Sequence, residues 1–198
     1  MKIYDISQEV LSCEVYPGDP SPRLETLVSM EIGEAYNLTA LYMSNHNGTH
    51  TDAPRHFFKD GDTIDRMPME NFVGMCFVAE HCGEVNAEDA ENIMEKARRL
   101  DASERILIKG EAVVTVGAAE VFAAAKLRLL GNESQSVGPM DAPMAVHKIM
   151  LGAGTVLLEG VRLSEVSEGT YLLSAAPLNI AGAEGAPCRA VLIDLRDN

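Results

Sequence analysis

The chain has no tryptophan, and aromatic residues make up only 5% of its 198 residues. It also has no apolar run that approaches the roughly 18 residues of a membrane-spanning helix. The first residues, Met1 to Ile6, turn polar at once and do not form the apolar core of a signal peptide. These absences predict a cytoplasmic protein without a membrane partner.

Basic residues and paired cysteines are scarce as well. Sixteen Lys and Arg stand against 30 Asp and Glu, and the resulting net charge of −14 predicts that no nucleic acid binds, because it repels phosphate backbones. The absence of a Cys-x-x-Cys pair argues against a thiolate zinc site and against a small disulfide scaffold. The four scattered cysteines are Cys13, Cys76, Cys82 and Cys188.

The remaining composition, 46% hydrophobic and 23% charged, is that of a globular protein, and the length suits one domain over residues 1–198. Short β-rich apolar runs predict strands, and Asn86 and Thr115 are predicted helix N-caps. The predicted strands are 72–78, 105–108, 155–158 and 190–195, the predicted helices are 87–100 and 116–130, and Gly- and Pro-containing loops are predicted at 13–23, 44–68 and 131–145. This order predicts the α/β fold class with a single mixed-sheet domain.

Three of the five histidines lie within eleven residues, together with one aspartate: His46, His50, His56 and Asp52. The first two histidines have helical spacing, but Gly48 and Pro54 disfavour a helix, so the segment is predicted to be looped or extended. It therefore differs from the helical His-Glu-x-x-His motif of zinc proteases. A single histidine is usually an ordinary surface residue, whereas this clustering with a carboxylate favours a metal site.

Imidazoles and a carboxylate suit zinc, manganese or ferrous iron, and three protein ligands would leave coordination positions open for water. An open position favours catalysis over a structural metal, whose four ligands are often thiolates. Gly48 would let the backbone turn between the ligands, and the hydroxyl of Thr49 could brace that turn.

The segment His46-Asn47-Gly48-Thr49-His50-Thr51-Asp52-Ala53-Pro54-Arg55-His56 resembles the signature of the cyclase superfamily of metal-dependent hydrolases, which contains bacterial kynurenine formamidases and isatin hydrolases. The resemblance extends to residues 4–7, 16–19 and 57–68, and to C-terminal blocks around residues 147–160 and 177–190. It thus spans nearly the whole chain and implies that family's swivelling β/β/α fold.

By this resemblance, His46, His50 and Asp52 would hold a first metal, and Asp52 could bridge to a second metal held by His147 and Glu159. Taken alone, His147 and Glu159 would be unremarkable, although an imidazole and a carboxylate suit a divalent cation. The prediction is one or two ions per subunit, with zinc preferred and manganese as the alternative.

The resemblance also makes His56 the acid/base residue and Tyr16 a substrate-binding residue. Relatives place a tryptophan before the Pro-Gly-Asp element, where it packs on an aromatic substrate, and this chain offers Tyr16. Residues 130–137 depart from the family pattern too, since Asn132 or Glu133 stands where an aspartate is usual. Substrate choice is therefore the least determined feature.

The implied reaction is cleavage of the carbon–nitrogen amide bond of a small aromatic formamide by metal-activated water, with His56 moving the proton. The chain has no Gly-x-Ser-x-Gly nucleophile elbow, so nucleophilic catalysis is the poorer interpretation. The alternatives are a hydrolase of a cyclic amide or lactone, as in isatin hydrolases, and a non-catalytic metal- or ligand-binding relative. The resemblance further implies a small-molecule substrate and a homodimer or homotetramer.

Overall fold

The computed structural model describes residues 1–196, which contain thirteen β-strands and three α-helices. The strands are β1 (Lys2–Asp5), β2 (Arg23–Val28), β3 (Leu38–Tyr42), β4 (His50–Asp52), β5 (Val73–Glu80), β6 (Gly83–Val85), β7 (Arg105–Lys109), β8 (Ala112–Val114), β9 (Leu129–Asn132), β10 (Val156–Glu159), β11 (Gly169–Ser174), β12 (Gly185–Pro187) and β13 (Val191–Asp194). The helices are α1 (Ala87–Arg99), α2 (Val116–Ala124) and α3 (Met144–Gly152).

Nine of the strands in the described part of the chain form one curled mixed sheet, in the order β1-β13-β11-β5-β7-β9-β10-β4-β12. Its centre is parallel, from β5 through β7 and β9 to β10, and the strands on either side pair antiparallel. β2 pairs only with β3 and forms a separate hairpin, and β6 pairs with β8. The predicted mixed-sheet α/β fold class is confirmed.

The sheet has an apolar core on each face because successive strand residues point to opposite sides. Ile106 and Ile108 of β7 pack with the three helices, whereas Leu107 lies between them in sequence and packs in the other core. Residues on the central strands are buried on both faces, as is usual for parallel strands. Polar side chains lie instead beyond β10, where β4 and β12 continue the sheet.

Helix α1 confirms the helix predicted at 87–100, and it begins with a capping box in which Asn86 and Asp89 each accept a backbone hydrogen bond from the other. The second helix was predicted too long, because α2 ends at Ala124 and residues 129–132 form β9. Lys126 has a φ of 57°, which ends the helical backbone. The burial of Leu129 and Leu130 between parallel neighbours outweighed the helix-favouring alanine run.

Helix α3 was not predicted from the sequence. It is short and follows directly on Pro143, at the end of a stretch predicted as loop. Val146 and Met150 pack it into the helix-side core. The longest described helix, α1, has 13 residues, and no helix in residues 1–196 is both long and apolar enough to cross a membrane.

Candidate metal centre

A short strand places the central part of the histidine cluster inside the protein. β4 lies between β10 and β12, and its residues His50 and Asp52 are two positions apart and therefore face the same side. The antiparallel register places Glu159 of β10 directly opposite His50. Helix α3 brings His147 to the same place, so residues distant in sequence meet at one buried site.

The turn before β4 depends on Gly48 and Thr49, as their proposed roles suggest. Gly48 has a φ of 64°, and a Cβ there would lie 3.1 Å from the Cβ of Cys13. The hydroxyl of Thr49 donates a 2.7 Å hydrogen bond to the carbonyl of Gly160 and accepts one from the backbone N–H of Gln8. These bonds tie the turn to the residue that follows Glu159.

Two groups of side chains that could hold a metal ion share Asp52. In the first group, Oδ1 of Asp52 lies 2.9 Å from Nδ1 of His46 and 3.5 Å from Nε2 of His50. In the second group, Nε2 of His147 lies 3.7 Å from Oδ2 of Asp52 and 3.2 Å from Oε1 of Glu159. Ligands at about 2.1 Å from one cation are themselves separated by roughly 3.0–3.5 Å, so both groups suit a small divalent ion.

Unpaired buried atoms support the same conclusion. Both carboxylate oxygens of Asp52 and Nε2 of His50 are buried and have no hydrogen bond of acceptable geometry, although nitrogen and oxygen atoms lie close by. A buried charged group without a partner is costly, and buried charges are normally paired or bound to metals. These atoms lie close together without hydrogen bonds, which is the arrangement expected if their lone pairs point to a common cation.

Backbone carbonyls orient two of the imidazoles. Nδ1 of His50 lies 2.9 Å from the carbonyl oxygen of Gly48, and Nδ1 of His147 lies 2.9 Å from that of Pro143. The tautomer that donates Nδ1–H to these carbonyls leaves Nε2 free toward the carboxylates. Such outer contacts are a regular feature of histidine ligands.

Glu184 also lies at the site, although the sequence patterns did not predict a role for it. Its Oε1 lies 3.2 Å from Nε2 of His46, so this ring faces a carboxylate on each side. A carboxylate in that position orients a histidine ligand and increases its basicity. The adjacent Gly185 leaves space for the ring, because a Cβ there would lie 2.9 Å from Cε1 of His46. In the sequence, the one indication of a role for Glu184 was its place in the C-terminal block around residues 177–190, which resembles the family.

The histidines of the cluster differ in the direction in which their surroundings shift the pKa. Burial opposes protonation of His46 and His147, but neighbouring carboxylates outweigh it and raise the pKa of each to about 9. Asp52 and then Glu184 act on His46, and Glu159 and then Asp52 act on His147. Burial likewise opposes ionisation of Asp52, yet the adjacent His46 holds the pKa of Asp52 well below its usual value. For His56, burial dominates and the pKa is lowered.

His56 lies at the edge of the cluster rather than inside it. Its Nε2 is 3.9 Å from Oδ2 of Asp52, its side chain is 30% exposed, and its ring stacks on His46 at a centroid distance of 4.3 Å. The one-turn helix Pro54–His56 presents the ring to a cavity of about 240 Å³. Tyr16 also lines this cavity, and its hydroxyl donates to the carbonyl of Met140 at 2.9 Å.

A mixed α/β fold with this buried His/Asp/Glu cluster beside a small cavity defines a metal-dependent hydrolase. The Cyclase family model matches residues 4–139. The chain is 35% identical over 215 residues to a kynurenine formamidase from Salinibacter ruber, with 100% of both chains covered. The chain belongs to the Cyclase family, which confirms the resemblance seen in the sequence.

Two solved structures support the assignment of the fold. One, described as a potential metal-dependent hydrolase with cyclase activity, has a TM-score of 0.81 and 27% identity, and the match covers 99% of each chain. Isatin hydrolase A from Labrenzia aggregata has a TM-score of 0.81 at 22% identity, covering 96% of this chain and 93% of that one, and shows similarity of fold. A divalent metal is thus supported by both the donor set and the relatives.

Proposed function

We propose that this protein is a metal-dependent amidohydrolase that cleaves the amide bond of a small aromatic formamide, with N-formylkynurenine as the first substrate to test. The observation that carries the proposal is the convergence of His46, His50, Asp52, His147 and Glu159 on shared positions at the wall of a small cavity. The relative from Salinibacter ruber, named kynurenine formamidase, supports the choice of substrate.

When bound, a divalent cation would lower the pKa of water and polarise the amide carbonyl, which is the chemistry that amide hydrolysis requires. His56 lies beside the cluster without being enclosed by it, and its lowered pKa keeps the imidazole neutral at neutral pH. A neutral imidazole can take a proton from the attacking water and deliver it to the leaving nitrogen. We therefore assign the acid/base role to His56.

The proposed metal is zinc, with manganese as the alternative. The imidazoles and carboxylates of the two groups suit either ion, and neither group contains a thiolate. Two ions per subunit are proposed because Asp52 offers one oxygen to each group, Oδ1 to the first and Oδ2 to the second.

The small volume and aromatic lining of the cavity support a substrate with one small aromatic ring. Phe57 packs edge-on against His56 with a centroid distance of 4.6 Å, and its ring lies 4.9 Å from that of His147. Phe57 and Tyr16 therefore give the wall of the cavity aromatic surface beside the metal-binding groups. We propose that Tyr16 packs on the substrate ring.

The test is to strip the purified protein of metal, reload it separately with zinc and manganese, and assay both forms with N-formylkynurenine and isatin. We expect hydrolysis of the formamide that depends on added metal, together with up to two ions per subunit by elemental analysis. Turnover of isatin alone would replace the formamidase assignment with cyclic-amide hydrolysis. Stoichiometric metal without turnover of either would favour a non-catalytic binding protein.

We also propose that the protein forms a homodimer or homotetramer. The support is the β2–β3 hairpin, which pairs with no other described strand and exposes several apolar side chains. They include Leu24, Leu27, Met30, Ile32, Tyr36, Leu38 and Leu41. A group of exposed apolar side chains on one hairpin commonly marks an interface between proteins.

A further inference from the structure

Two polar side chains in the wall of the cavity have no hydrogen-bond partner among the described residues. Gln135 is 6% exposed and Ser136 is 2% exposed, and both line the cavity together with His50, His56 and Glu159. Neither amide atom of Gln135 is bonded, and neither is Oγ of Ser136. Buried polar groups are nearly always paired, so a ligand is the expected partner for side chains in this position.

Hydrogen bonds fix the backbone around these side chains, and one of them connects it to a proposed metal ligand. The carbonyl of Ser136 accepts a hydrogen bond of 3.3 Å from Nδ2 of buried Asn132. The backbone N–H of Val137 donates a 2.7 Å hydrogen bond to Oε1 of Glu159. The position of Gln135 and Ser136 relative to the proposed metal ligands is therefore fixed by the fold.

Gly160 provides the space that the Gln135 amide occupies. A Cβ at Gly160 would lie 2.3 Å from Nε2 of Gln135 and 2.5 Å from Nε2 of Gln8, so two glutamine amides approach this glycine. Both polar atoms of the Gln8 amide are bonded, since Nε2 donates to the carbonyl of Gly160 and Oε1 accepts from the N–H of Glu14, each at 2.9 Å. Of these two amides, only that of Gln135, which lines the cavity, is left without a hydrogen-bond partner among the described residues.

The charge of the cavity limits what this pair of side chains can bind. Among the described residues no lysine or arginine lines the cavity, whereas Asp19 and Glu159 bring carboxylates to it. The group that binds at Gln135 and Ser136 would therefore meet no basic side chain in this wall, which favours an uncharged group at that position. A side-chain amide offers a donor and an acceptor side by side, and so does the N–H and C=O of an uncharged amide.

We propose that Gln135 and Ser136 are substrate-binding residues that hydrogen-bond an uncharged amide group of the substrate. This inference rests on the proposed function and identifies residues that choose the substrate. The amide can be the formamide of an open-chain substrate or the ring amide of a lactam. These residues lie in the segment 130–137, where the sequence predicts a departure from the family pattern.

The experiment compares Gln135→Met, Ser136→Ala and the matched control Gln8→Met as metal-loaded proteins. KM and kcat for N-formylkynurenine and isatin, Tm and metal content are measured for each. One lost hydrogen bond changes binding roughly two- to twelvefold, and Gln135→Met removes both a donor and an acceptor, so KM should rise roughly tenfold and kcat should change less than about twofold. Ser136→Ala should raise KM several-fold, and metal content should stay that of the wild type.

The Tm should separate the two glutamines. Gln135→Met should melt at or above the wild-type Tm because it removes an unpaired buried amide, whereas Gln8→Met should melt lower with KM unchanged. A KM increase for one substrate only would show which amide the pair binds. The inference is overturned if Gln135→Met keeps the wild-type KM for both substrates.

Failure of the proposed function has a different signature. A wild-type protein that hydrolyses neither substrate contradicts the proposed function, whatever the variants do. The two glutamines are then compared by Tm alone, and a Gln135→Met variant that melts below the wild type overturns the inference.

Discussion

The metal centre buries charged and polar side chains, whereas the β2–β3 hairpin exposes apolar ones. At the centre, Asp52, His50 and Glu159 are charged or polar and almost fully buried. On the hairpin, Leu24 is 51% exposed and Ile32 is 81% exposed. Burying carboxylate oxygens without a hydrogen bond, as at Asp52, and exposing apolar side chains to water are both unfavourable. In each region a partner that the chain itself does not supply would remove the penalty, a cation in one and a second copy in the other.

The largest effect is expected from Asp52→Asn, which keeps the shape of the residue that both metal groups share. Outer contacts to a metal ligand are worth roughly 10–100-fold, and loss of a ligand should exceed this, leaving activity more than about 100-fold lower. Elemental analysis and the formamidase assay measure the change.

Thermal stability supplies the control for Asp52→Asn. Chelation should lower the Tm of the wild-type protein, because a cation that binds only the folded state stabilises it. The same chelation should leave the Tm of the variant unchanged. If the variant retained the wild-type metal content, Asp52 would not be the shared ligand, and the explanation of its burial would be lost.

Removal of His56 should separate catalysis from metal binding. General acid/base catalysis contributes about 10²–10⁴-fold, and His56→Ala should lose activity in this range. Its metal content should match the wild type, because the ring lies outside both groups of ligand atoms. A variant that lost its metal would show instead that His56 is a ligand.

Glu184→Gln should have a smaller and more selective effect. The carboxylate lies 3.2 Å from Nε2 of His46, and loss of such a contact typically weakens metal affinity 10–100-fold. The Glu184 carboxylate is bonded to Asn45 and His46 rather than to the second group, His147 with Asp52 and Glu159, so one ion should remain bound under conditions that remove the other. Calorimetric titration with zinc measures the two affinities, and equal weakening of both would contradict the assignment.

These residues also show how far the sequence could be interpreted. His46, His50 and Asp52 could be predicted as ligands from the sequence itself, because the motif is contiguous and β4 and its preceding turn fold it locally. His147 and Glu159 were predicted only through family resemblance, because α3 and β10 bring them in from elsewhere in the chain.

Other features depend on packing that no local pattern records. Glu184 comes close to His46 because the three-residue strand β12, which follows it, pairs with β4. In the sequence, Gln135 looks like an ordinary loop residue, and only its burial distinguishes it. The predicted extension of α2 failed for the same reason, since the burial of Leu129 and Leu130 in the sheet decided the conformation there.

The smallest effect on the metal centre is expected from changes to the hairpin. Leu24 and Leu41 are paired across β2 and β3 and lie on one face, and both are about half exposed. Replacing both with threonine keeps β-forming residues while removing apolar area. If a second copy covers this face, a symmetric dimer loses four leucine side chains and should dissociate at least about 100-fold more readily.

Light scattering across a range of concentrations measures the association. Leu100→Thr is the matched control, because Leu100 is 52% exposed at the end of α1, away from the hairpin, and should leave the assembly intact. Metal content should be that of the wild type in both variants. If the wild-type chain is monomeric at every concentration, the exposed leucines of the hairpin are not covered by a second copy, and only the buried centre needs an external partner.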